Sequence, residues 1–285
     1  MNVRFLIATT ALLAAGTSGL TAQGVVVDEG TFAIRLAGAA AGTEDFVIRR
    51  PGVGREDALF ANGVVALNLP EGRQEMRSLL HAAPPNGVAV RYQVSTTGPG
   101  AIEVQVARSN RRYLATIRSE QGAEDREFQA HADTRVLERH VAHHFYFLRD
   151  LRPGRSVHVL EPRTRAQSLI TAGEPTQETI RLGVNEIRAR RIEFTTDSGE
   201  SRLVWYDRQG RVLRVWIPAL ELLFLVTLAG RSGCGDVEGV VVPDRSRCDE
   251  PGGRFSRPRN PVNGQSVGTK AIPSVCPCAF KGPRG

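Results

Sequence analysis

From Gly30 to about Leu228 the chain consists of short runs that alternate apolar and polar residues with a period of two, each run broken from the next by turn residues. That period sends successive side chains to opposite faces, so each run reads as a strand with one face buried and one face wet. TFAIRLAG places Phe32, Ile34 and Leu36 on one side. TEDFVIRR follows after the glycine-containing bend Gly38–Gly42, so the two runs form a hairpin. ALFANGVVALNL is apolar on both parities and is expected to lie deeper. GVAVRYQVST sets Val88, Val90, Tyr92 and Val94 against Ala89, Arg91 and Gln93, and AIEVQVARS groups Ile102, Val104 and Val106. SVHVLEPR, AQSLITAG, ETIRLGVNEI and ARRIEFTTD repeat the habit in the second half. The clearest hairpin is RLVWYDRQGRVLRVWI, where Asp207–Gly210 reads as a type I turn with glycine at the position that wants positive φ. Strands at this spacing predict a mainly β fold: a strongly curved antiparallel meander, an open barrel or clam, with one or two short helices.

Two segments carry a helical signal. GRQEMRSLLHAA (72–83) has good helix formers, yet Met76, Ser78 and Leu80 fit a strand face equally well. ERHVAHHFYFLRDL (138–151) groups His140, His144, Phe147, Leu148 and Leu151 at helical spacing and is stopped by Arg152-Pro153-Gly154. A short helix lying across a curved sheet fits this pattern.

The ends of the chain differ from its middle. Residues 1–23 have the plan of a secretory signal peptide: Arg4, the apolar stretch Phe5–Ala15, then small residues with cleavage expected after Ala22 or Gln23. The apolar stretch is too short for an ordinary membrane span, as is Ile217–Ala229, which also contains Pro218 and Glu221. The expected address is therefore outside the cytoplasm, in the periplasm if the source is Gram-negative and secreted otherwise. Residues 231–285 are rich in Gly, Pro, Arg and Ser and show little periodicity. They are expected to stay disordered; sequence from a shifted reading frame in a GC-rich gene has the same look. All four cysteines, Cys234, Cys248, Cys276 and Cys278, fall in this tail, so the β domain, 24–230, must be held by its own core.

The formal charge of +7 is mostly a property of the ends, because 24–230 holds 27 basic against 25 acidic residues. A nucleic-acid binder needs a concentrated basic face, so no nucleic-acid partner is expected. Chemical motifs are few. GQSVG around Ser266 matches the nucleophile-elbow pattern but lacks the preceding strand and following helix, and all six histidines lie upstream of it. His140, His143 and His144 form HxxHH, a spacing that brings imidazoles toward one helix face as a divalent metal requires, though without the HExxH glutamate. The alternative is that they line the helix against its neighbours. Paired carboxylates such as Glu44-Asp45 and Glu124-Asp125 read as solvated charge at strand edges or turns. Trp205 and Trp216, on the two arms of the late hairpin, together with Phe145 and Phe147, are the residues suited to lining a cavity for an apolar ligand; otherwise they are core.

Three pieces together resemble a known pattern: the TFAIRLAGAAAGTEDFVIRR hairpin, HHFYFLRDL leading into SVHVLEPR, and the late strands ARRIEF and VWYDRQGRVLRVWIP. With them, most of residues 30–218 resembles uncharacterised exported bacterial β-rich proteins in the style of the LolA/LolB lipoprotein-carrier fold. The resemblance implies a curved antiparallel sheet with helical segments against its concave side, a surface that in the carriers holds acyl chains. It implies no catalytic residue and no cofactor. The extra tail and the missing lipobox depart from an anchored acceptor. The resulting expectation is a non-catalytic carrier or binding domain for an apolar, lipid-like small molecule. A metal-dependent hydrolase using the HxxHH histidines and an envelope scaffold with a protein partner are the alternatives.

Overall fold

The computed structural model describes residues 24–52, 58–85 and 87–227. The proposed signal peptide, the tail, Ser266 and the four cysteines lie outside these residues. Sixteen strands are present among the described residues. The first eight are β1 (Val25–Leu36), β2 (Ala39–Arg50), β3 (Leu59–Leu69), β4 (Gly72–Ala83), β5 (Val88–Thr97), β6 (Ile102–Ser109), β7 (Arg112–Ser119) and β8 (Gly122–Gln129). The second eight are β9 (Arg135–Val136), β10 (Ser156–Glu161), β11 (Ala166–Ala172), β12 (Thr176–Leu182), β13 (Asn185–Thr196), β14 (Ser201–Tyr206), β15 (Val212–Ile217) and β16 (Leu222–Thr227). They form one sheet in the order β8-β7-β6-β5-β4-β3-β2-β1-β16-β15-β14-β13-β11-β10-β9, with β12 paired to β13 off that path. All the pairings are antiparallel except β9 with β10. No helix of the described residues is long and apolar enough to cross a membrane.

The expected curved antiparallel meander is therefore the observed fold. Its two arms are joined in the middle of the sheet, where β1 pairs with β16 from Thr31↔Thr227 to Leu36↔Leu222. The period-two residues account for the core. Phe32 and Ile34, Phe46 and Ile48, Ala61 and Val65, Met76 and Leu80, Tyr92 and Val94, and Val104 and Val106 all turn to the same side and are buried. Each large apolar side chain buried this way contributes roughly 1.5–3 kcal/mol, an upper range because the unfolded chain is itself partly compact.

The segment 72–83 is a strand, β4, because its neighbours β3 and β5 leave no other partner for their edges. Met76, Ser78, Leu80 and Ala82 face the core. β3 also alternates, with one face buried and the other partly open, rather than being deep on both parities. The bend of the first hairpin is tighter than the glycines suggested: Ala37 and Gly38 both take positive φ, and β2 starts at Ala39. Gly42 lies within β2, where an added Cβ would meet the carbonyl oxygen of Ala66 on β3, so its role is close strand approach. The late turn is as expected, with Gly210 at φ +77°.

Among the described residues no ladder closes the sheet, but its ends come together. The Ala89 N–H of β5 donates to the Thr134 carbonyl just before β9, 3.0 Å away. The edge strand β8 is tied to β11 by side chains: the Gln167 amide donates to the Gln129 carbonyl and accepts from its N–H, and Arg165 pairs with Glu124. Side-chain ties of this kind are weaker than a ladder, and β8 is exposed along nearly its whole length. Amide hydrogen exchange read by mass spectrometry should show β8 exchanging first and the β1–β16 ladder last. Equal protection of β8 and β1 would contradict this organisation.

Candidate functional site

The helical signal at 138–151 becomes something more compact than an amphipathic helix. A 3-10 helix spans His143–Leu148, and all six of its residues are buried. The expectation of one exposed and one covered face is therefore corrected. The segment lies against the concave side of the sheet and meets a wall in several directions. His, Phe and Tyr are also poor helix formers, and Ala142 at the N-cap supplies no side-chain oxygen.

The missing cap comes from β2. Glu44 is fully buried, and its two carboxyl oxygens accept the backbone N–H of Ala142 at 2.7 Å and of His143 at 3.2 Å. One of them also lies 2.5 Å from Nδ1 of His143. Glu44 was expected at a strand edge in water. Its parity was readable, since Glu44 alternates in register with Phe46 and Ile48, which point into the core. Asp45, of opposite parity, is exposed and accepts a hydrogen bond from Thr31.

Burial pushes the Glu44 carboxyl up to about 8, against the pull of the two backbone N–H groups. Burial likewise drives His143 down to about 3. At neutral pH the pair is therefore best described as two uncharged groups sharing one proton, rather than as an ion pair. Around them His143 stacks on Phe46 with ring centroids 5.6 Å apart, and it meets the edge of His144. His144 in turn stands edge-on to Tyr92. The ring of His143 fits because residue 63 is glycine: a Cβ there would come within 2.5 Å of its Cε1.

Further contacts hold the segment. The Tyr206 hydroxyl donates to the Phe145 carbonyl at 2.9 Å, Arg190 donates to the Arg149 carbonyl at 2.8 Å, and the guanidinium of Arg149 lies 3.7 Å over the Tyr146 ring. Just upstream of the helix, Glu138 is buried and paired with Arg163.

Glu44, His143 and Ser78 are the residue types of an acid–imidazole–hydroxyl relay. Here Ser78 makes no hydrogen bond to the imidazole, and Glu44 and His143 have no exposed surface. The Nε2 of His143, both ring nitrogens of His144, the Ser78 hydroxyl and the Tyr92 hydroxyl have no hydrogen-bond partner among the described residues. This is a costly polar lining that adjoins the carboxyl grip.

The other candidates are dispersed. Among the described residues no three His, Cys, Asp or Glu side chains come together as a metal ligand set, so His140, His143 and His144 do not converge on a common point. Phe145 and Phe147 are buried in the helix just described. Trp205 is on the opposite face of the sheet: it donates to Glu178 at 2.6 Å, lies under Arg214, and is opposite Arg191 in the ladder. Trp216 alternates with Arg214 and shares that outer face. The tryptophans and phenylalanines therefore do not line one cavity. No signal in the sequence distinguished the two faces of β14, because Val204, Trp205 and Tyr206 are all apolar or aromatic and all buried.

No family model matches the sequence, and no curated protein matches it. Among solved structures the chain is similar to the crystal structure of a β-barrel-like protein of a domain of unknown function, DUF1849, from Brucella abortus. The match has a TM-score of 0.46 and 8% sequence identity, and covers 72% of this chain and 97% of that one. The LolA/LolB-like resemblance rests on sequence features alone.

Glu44→Ala would leave two buried N–H groups and one imidazole nitrogen without partners, and should lower the unfolding free energy by about 3 kcal/mol or more in urea denaturation. Glu44→Gln should be tolerated better, because the amide oxygen keeps the bond from the Ala142 N–H and the amide NH2 donates to Nδ1 as a protonated carboxyl does, so that only the longer bond from the His143 N–H is lost. Glu44 also sets a pH dependence. Its carboxyl rises from an ordinary 4.5 to about 8, so between these values the folded chain holds a proton that the unfolded chain lacks, and stability falls as pH rises. His143, lowered from 6.5 to about 3, acts in the opposite sense only below 6.5. Thermal unfolding should therefore show a falling Tm between pH 6.5 and 8 that Glu44→Gln flattens.

Proposed function

We propose that this chain is an exported, non-catalytic binding or scaffold domain that works through its exterior rather than by enclosing an apolar ligand. The observation that carries this reading is that the chain's own Phe145, Tyr146, Phe147 and Leu148 lie buried against the concave side of the sheet, where a carrier would seat an acyl chain. An apolar ligand there would have to displace buried rings and break the bonds from Glu44, Tyr206 and Arg190 that hold the segment. Concavities open to solvent do occur among the described residues, one with a lining of mixed polar and apolar character and one mainly polar. One, of about 440 Å³, crosses the outward side chains Asn62, Arg77, Gln93, Glu103 and Gln105 of β3 to β6. The other, of about 460 Å³, lies beside the turn between β14 and β15.

This reading moves away from the apolar-ligand carrier, whose cavity residues are divided between the two faces of the sheet, and from the metal-dependent hydrolase, whose imidazoles do not converge. The test is a titration with Nile red, together with native mass spectrometry of protein purified from its own host. The expected outcome is no rise in fluorescence and no retained lipid. Saturable Nile red binding that a fatty acid displaces would overturn the reading and restore the carrier.

A further inference from the structure

We infer that the cleft beside the β14–β15 turn is a binding site for a phosphate-bearing ligand, which deepens the proposed exterior function and rests on it. Four arginines line this cleft: Arg188 and Arg190 from β13, Arg149 from the segment just after the 3-10 helix, and Arg208 from the turn itself. Arg188 and Arg190 are two residues apart on one strand, so they share a face with the buried Ile192 and Phe194. The cleft thus lies where the concave face of β13 runs out of the core toward solvent.

The two acids in the lining do not balance this charge. The Asp207 carboxylate accepts the N–H groups of Gln209 and Arg211 and pairs with the Arg211 side chain at 2.6 Å. Asp150 meets Arg149 at 3.3 Å, but its side chain is 76% exposed, so that pair is weak. The side chains of Arg188 and Arg208 are exposed, and neither makes a side-chain hydrogen bond or ion pair among the described residues. An excess of unpaired guanidinium groups around a polar hollow repels itself until an anion enters. A planar guanidinium fork matches phosphate oxygens two at a time.

Two of the four are already fixed in place. Arg149 lies over Tyr146, donates to the Tyr146 carbonyl at 3.2 Å, and is backed by Gly210, where a Cβ would come within 2.7 Å of its Cδ. Arg190 is held by the Arg149 carbonyl and sits 5.6 Å from the Tyr206 ring. Groups ordered before binding lose less freedom when a ligand arrives. Two fixed forks with two exposed ones suit a small dianion, a phosphomonoester, better than a single carboxylate. The volume of about 460 Å³ leaves room for the group that carries the phosphate.

The phosphate could belong to a soluble molecule or to a lipid headgroup, and the experiment separates the two. Calorimetric titration of the whole protein with inorganic phosphate and with glycerol phosphate is compared with co-sedimentation on phosphatidylcholine vesicles with and without phosphatidic acid. The wild type should bind phosphate, and Arg188→Ser with Arg208→Ser should weaken binding by at least about tenfold, given two charge-assisted hydrogen-bonding groups removed. Both are surface positions, and an unchanged far-ultraviolet spectrum and Tm would show the fold intact. A control pair on the far arm of the sheet, Arg108→Ser with Arg111→Ser, removes the same net charge and should leave the affinity unchanged. Co-sedimentation that depends on phosphatidic acid and on Arg188 and Arg208 assigns a headgroup; binding confined to the soluble phosphates assigns a soluble ligand. No binding in either arm, or equal loss in the control pair, overturns the inference. Failure here, with Nile red still unbound, leaves the exterior reading standing, whereas Nile red binding defeats that reading whatever phosphate does.

Discussion

One buried carboxyl organises the concave side of this sheet. Glu44 takes the two backbone amides at the start of a short helix and lies against the ring of the first histidine in it, so a strand side chain supplies the cap that the helix sequence lacks. A helix of this length has too few internal hydrogen bonds to stand alone in water. It exists because its first amides end on Glu44, one of its carbonyls ends on Tyr206, and its rings fill the space between. Gly63 completes the seat by leaving open the space that the histidine ring takes.

That arrangement is what the proposed function rests on. A sheet that curls around nothing offers a cavity; this one curls around its own chain. The reactive residue types that do meet inside, Glu44, His143 and Ser78, are sealed and incompletely bonded, and they read as part of the holding device. Under the proposal made above, chemistry accessible to a partner lies at the lip of the sheet. There the segment after the helix and the β14–β15 turn present arginines already steadied by Tyr146, Tyr206 and backbone carbonyls.

The lip and the interior are in direct contact. Arg149 leaves the helix segment and packs against Gly210 in the turn, while Arg190 joins β13 to the Arg149 carbonyl. Conversely, the outer face carrying Trp205 and Trp216 is separated from both by the thickness of the sheet and is occupied by Glu178, Arg191 and Arg214.

The period-two pattern determined the strands, the late hairpin and the curved antiparallel class, because alternation is a local property and each residue's face follows from its neighbours. Even the inward direction of Glu44 was present in that pattern, hidden by the usual assumption that a carboxylate seeks water. Other features required the tertiary structure. The segment 72–83 became β4 only through the strands on either side, its own residues suiting helix and strand alike. The segment 138–151 lost its amphipathic reading because burial from several directions, unlike burial from one, leaves no periodic trace. The pairing of β1 with β16 joins residues about 190 positions apart, and the gathering of arginines at 149, 188, 190 and 208 depends on how the segment after the 3-10 helix packs against β13 and the β14–β15 turn. Long-range pairing is set by the balance of burial against loop-closure entropy over the whole chain, and no local window of sequence contains that balance.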